Sequence, residues 1–75
     1  MNEKKIRLQS REEVQNFVEA AAKCNFDIDI SYDRVMIDAK SFLGVLGLGV
    51  SRVLTVQYSG KDSEFENVVQ KYVVA

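Results

Sequence analysis

Polar and apolar residues alternate over Lys5-Ile6-Arg7-Leu8-Gln9, the period of a strand with one buried face, which predicts a first strand over residues 5–9. The period then changes. Ser10-Arg11-Glu12-Glu13 has capping-box spacing, and Val14, Phe17, Val18, Ala21 and Ala22 follow at helical intervals, so a helix is expected from residue 11 to about residue 24. Alternation returns over Asp27-Ile28-Asp29-Ile30-Ser31-Tyr32 and again over Arg34-Val35-Met36-Ile37-Asp38, which reads as an antiparallel hairpin turning near Asp33.

A short helix-like stretch occupies residues 41–46, with Gly47 and Gly49 placed to end it at a positive φ. Residues 52–58 then read as a fourth strand whose inward face is Leu54, Val56 and Tyr58. Asp62 or Ser63 can cap a last helix with Phe65, Val68, Val69, Tyr72 and Val73 on its apolar side. The predicted order is β-α-β-β-α-β-α, an α+β fold with three helices on one face of a four-stranded antiparallel sheet. Asp27, Asp29, Ser31, Arg34, Asp38, Thr55 and Gln57 would form the polar outer face. Ile6, Leu8, Phe17, Ile28, Ile30, Val35, Ile37, Leu54, Val56, Phe65 and Val69 are the expected core.

Composition narrows the function more than the fold. Seventy-five residues make a single domain, 1–75, and no repeat or linker divides it. Ten basic residues against eleven acidic ones form no basic stripe, so nucleic acid is not an expected partner. The apolar run over residues 42–50 is too short and too glycine-rich to cross a bilayer. Cys24 is the one cysteine, and with no leader ahead of the first strand a cytoplasmic location is expected.

The chain contains no histidine, which removes histidine metal sites, serine triads and histidine phosphorelays. No metal, cofactor or enzymatic activity is therefore expected. Cys24 has no histidine base and lies near a helix C-terminus, where the dipole disfavours a thiolate. Glu12 and Glu13 suit a helix N-terminus better than acid-base work. Ser10 reads as a helix cap, while Ser41 reads as a cap that a kinase could also phosphorylate.

Phe42, Leu43, Val45, Leu46 and Leu48 surround a helix too short to bury them all. With Val45 and Leu48 inward, Phe42, Leu43 and Leu46 would remain as an apolar docking patch beside Ser41. Gly44 and Gly47 inside that helix suggest close approach by a neighbour. The glycines match neither common nucleotide-binding fingerprint.

The residues Lys40-Ser41-Phe42-Leu43-Gly44-Val45-Leu46-Gly47-Leu48-Gly49-Val50 resemble the regulatory-serine segment of the HPr phosphocarrier family of the bacterial sugar phosphotransferase system. That segment typically reads K-S-I-M-G-V-M-S-L-G, so Ser41, Gly44, Val45, Leu48 and Gly49 match. Ala21, Lys23, Asp27, Tyr32, Thr55 and Gly60 fall on family residues too, and the similarity extends from roughly residue 19 to residue 74. The resemblance implies the family's open-faced β-sandwich.

The family's other signature, G-[IL]-H-A-R-P-A, is absent. Counting back without gaps from Lys23 sets Ser10 at the phosphohistidine position, Arg11 at the alanine, Glu12 at the arginine and Glu13 at the proline. A serine ester lacks the transfer potential of a phosphoramidate, and two carboxylates would repel the phosphate. The resemblance therefore implies the regulatory half alone, as in the histidine-lacking catabolite-repression branch. Ser41 would be the phosphorylation site and Phe42, Leu43 and Leu46 the partner contacts. Partners would be an HPr kinase, a transcriptional regulator or other phosphotransferase-system proteins. The alternative is an interaction or oligomerisation module, such as a homodimer through the same patch, with no phosphorylation.

Overall fold

The computed structural model describes residues 1–74, ordered as β1 (Asn2–Arg7), α1 (Arg11–Ala22), β2 (Ile28–Tyr32), β3 (Val35–Asp38), α2 (Phe42–Leu48), β4 (Val53–Tyr58) and α3 (Ser63–Tyr72). Element order and type agree with the sequence pattern. The strands form one antiparallel sheet in the order β1-β4-β2-β3, so the last strand in sequence is inserted between the first two. Three helices cover one face, and their apolar stripes close over Ile6, Ile28, Ile30, Leu54, Val56 and Tyr58.

Each helix starts where a side chain replaces a missing backbone partner. Ser10 Oγ accepts from the Glu13 amide at 3.1 Å, and the Glu13 carboxylate accepts from the Gln9 amide at 2.8 Å, a capping box shifted one residue outward. Asp62 does the same for α3, accepting from the Phe65 amide at 2.9 Å. At the centre, Phe65 meets Tyr58 edge-on with ring centroids 5.0 Å apart and Phe17 at 5.9 Å.

Four expectations need correction. The first strand is residues 2–7 and not 5–9, because pairing with β4 from Asn2↔Tyr58 to Arg7↔Val53 sets its length. Leu8 is fully buried all the same, beyond the strand, where its carbonyl accepts from the Ser51 amide at 2.7 Å. Val35 is no core residue. It closes a two-residue turn on an edge strand opposite Tyr32, past the cover of the helices, and is 54% exposed. Ala22 is exposed, and Val73 stands beyond α3, bridging Ile6 as a partial cover for the β1 edge.

Among the glycines, close approach holds at Gly44, where a Cβ would lie 2.9 Å from Ile37 Cδ1, and fails at Gly47, which has open space around it. Gly49 ends α2 at φ 105°, a region that favours glycine. No described helix is long and apolar enough to cross a membrane.

Candidate functional site

A cation–π contact joins the first residues of α1 and α2. The Arg11 guanidinium lies 5.6 Å from the centre of the Phe42 ring. Together with Gln15, Val18 and Glu19 these two side chains line a shallow groove of about 340 Å³. A larger hollow of about 520 Å³ lies at the start of α3 between Asn2, Lys61 and Asn67 and holds none of the expected site residues.

Ser41 is exposed and caps α2, its Oγ accepting from the Gly44 amide at 3.2 Å while its carbonyl accepts from the Val45 amide at 2.9 Å. The turn before it is fixed from two sides. Asp38 Oδ1 accepts from the Lys40 amide at 2.9 Å, and Lys40 Nζ donates to the Cys24 carbonyl at 2.9 Å, tying this turn to the end of α1. No acidic side chain stands in the first turn of α2, whereas Glu12 and Glu13 occupy that place in α1. A phosphate would thus meet a helix start free of its own carboxylates at Ser41 and two like charges at Ser10.

The three expected contact residues do not behave alike. Leu43 is 77% exposed, while Phe42 and Leu46 are half-buried and pack against the core. Leu43 is the most exposed of the three, and Phe42 lies beside Arg11 and lines the groove. Seven helical residues over a sheet give the reason. Val45 and Leu48 point into the core, Phe42 and Leu46 flank them, and Leu43 is left on the far side.

Burial pushes the Cys24 thiol up, reinforced by the carboxylates of Asp62 and Glu66 against the opposing charge of Lys40. The sulfur donates weakly to the Ala20 carbonyl at 3.6 Å and stays a thiol at neutral pH. No three His, Cys, Asp or Glu side chains gather for a metal ion among the described residues. Arg11 on Phe42 and the Lys4–Glu66–Tyr58 chain are among the contacts that the sequence pattern missed, because their members lie in different elements.

Comparison with known proteins gives one direction. Residues 9–71 match the family model PTS-HPr, described as the PTS HPr component phosphorylation site, so the match includes Ser10 to Glu13 as well as the Ser41 segment. No curated protein matches. The fold is similar to that of HPr-C-His from Thermoanaerobacter tengcongensis, at 25% identity with a TM-score of 0.75 over 95% of this chain and 89% of that one. It is also similar to the phosphocarrier protein HPr of Bacillus anthracis, at 24% identity and TM-score 0.72 over 95% of each chain. The histidine-containing phosphocarrier protein of a mycoplasma aligns at 14% identity and TM-score 0.67 over 92% of this chain and 84% of that one.

Proposed function

The chain belongs to the HPr family of the phosphotransferase system, and from that premise we propose that it is a regulatory, protein-binding member that does not carry phosphate on histidine. The observation that carries this reading is compositional: the chain has no histidine at all. Ser10, which ungapped counting sets at the phosphohistidine position, has its hydroxyl engaged in a capping box with Glu12 and Glu13 beside it. No imidazole base is available to activate it.

Ser41 is the regulatory site in this reading. Ser41 is exposed, the sequence around it resembles the family's regulatory-serine segment, and Leu43 projects two residues away. A phosphate would add about −1.5 to −2 charge beside an apolar contact, favouring partners with basic residues around an apolar pocket and disfavouring acidic ones. An HPr kinase, a transcriptional regulator and other phosphotransferase-system proteins are the partner classes, in the cytoplasm. Incubation with an HPr kinase and ATP should add one phosphate to the wild type and none to Ser41→Ala. An unchanged mass for the wild type would sink the regulatory reading.

A second reading, an oligomerisation module without phosphorylation, is favoured only by the exposure of Leu43. Light scattering of Leu43→Glu tests it. Leu46→Glu is a poorer probe, since Leu46 packs against the core and its loss would disturb the fold.

A further inference from the structure

The two edges of the sheet are unlike. Residues after α3 cover the β1 edge, with Val73 bridging Ile6 and the Val74 amide donating to the Lys5 carbonyl at 2.9 Å, and two lysines, Lys4 and Lys5, lie along that strand. β3, the other edge, has neither device. It presents Val35 at 54% exposure and Met36 at 58%, with no lysine or proline between them and its end at Asp38.

We propose that the β3 edge pairs antiparallel with β3 of a second copy of this chain, on a two-fold axis at Met36. Backbone parity permits it. The Ala39 amide donates to the Ile28 carbonyl at 2.9 Å, and Ile30↔Ile37 and Tyr32↔Val35 continue that set, so Val35 and Ile37 bond inward to β2. The N–H and C=O of Met36 therefore point away from the sheet. On the two-fold axis they bond reciprocally with the partner's Met36, while the Asp38 N–H donates to the carbonyl of the partner's Arg34.

The charges single out this register. Arg34 and Asp38 lie two residues either side of Met36, so the antiparallel arrangement sets each Arg34 opposite the partner's Asp38, twice. Both are exposed, and neither joins the one ion pair found among the described residues, Lys4 with Glu66. Val35 would meet the partner's Ile37 on the helix side, extending the half-buried margin of the core. Only four residues of strand contribute from each copy, so the complex is weak, dependent on concentration and sensitive to salt.

Sedimentation velocity of the full chain from micromolar to millimolar concentration tests the pairing, with circular dichroism confirming the fold of each variant. Wild type should shift from monomer to dimer at the upper end, less so in high salt. Met36→Pro removes only an outward N–H and should weaken association about tenfold or more. Arg34→Asp should weaken it as well, and Arg34→Asp/Asp38→Arg should restore it with the charges exchanged. Leu43→Glu should leave it unchanged, which separates this edge from the α2 surface. A wild type that stays monomeric at millimolar concentration would overturn the proposal. So would a folded Met36→Pro that associates as well as wild type, or association lost in Leu43→Glu.

Discussion

Tyr58 donates its phenolic hydrogen to Glu66 Oε2 at 2.6 Å, and Lys4 Nζ holds the other carboxylate oxygen at 2.7 Å. Three elements, β4, α3 and β1, are thereby joined at the margin of the core. Burial alone would raise the Glu66 carboxyl, but the hydrogen bonds from Lys4 and Tyr58 outweigh it and hold the group below its ordinary value of 4.5.

A carboxyl lowered by folding contributes stability above its unfolded value and loses that contribution as pH falls through the folded one. Urea titrations of wild type between about pH 6 and pH 3 should therefore show a loss of stability that Glu66→Gln largely lacks. Parallel curves for the two proteins would show that the carboxylate contributes nothing to the fold. At the alkaline end the sign reverses. Burial and the Glu66 hydrogen bond raise the Tyr58 phenol well above its ordinary value of 10.0, so stability should fall as the unfolded chain ionises there and Tyr58→Phe should remove part of that fall.

Phe17 is fully buried and in ring contact with Phe65. Phe17→Ala should cost about 3–5 kcal/mol in chemical denaturation, a large share of a small domain's stability. A loss below about 1 kcal/mol would mean that the site collapses to fill the space.

Gly60 lies against the face of Phe26, where a Cβ would come within 2.2 Å of Cδ2, and the Phe26 ring stacks in turn on Tyr58 at 6.2 Å. Gly60→Ala should destabilise by about 1–3 kcal/mol. Combined with Phe26→Ala the two losses should not add, because the second change removes the obstacle to the first.

Ser41→Ala removes the α2 cap and should cost about 1 kcal/mol regardless of any kinase. Leu43→Glu should stay within about 0.5 kcal/mol of wild type, and Leu46→Glu should lose several times more. Equal losses for the two would contradict the burial difference around α2.

Much of this molecule was legible along the chain because its signals are local. Ser10 with Glu13, Ser41 with Gly44 and Asp62 with Phe65 are three residues apart, within reach of one helical turn; the first two caps were readable as spacing, and the third was narrowed to Asp62 or Ser63. The alternation of Ile28 and Ile30 with Asp29 and Ser31 set the two faces of β2 for the same reason. Val35 misled because alternation assigns a face and says nothing of how far the covering helices reach.

Residue pattern by itself determined the order and type of the seven elements and the polar outer face, since each depends on neighbours within a turn or a strand. Tertiary structure decided the rest. The insertion of β4 between β1 and β2 left β3 as a bare edge and gathered Lys4, Tyr58 and Glu66 into one hydrogen-bonded chain, while the packing of α2 set Phe42 beside Arg11 and left Leu43 the most exposed of that helix's apolar residues. Those outcomes depend on which surfaces meet in three dimensions, and contacts between residues as distant in the chain as Lys4 and Glu66 or Arg11 and Phe42 leave no period along it.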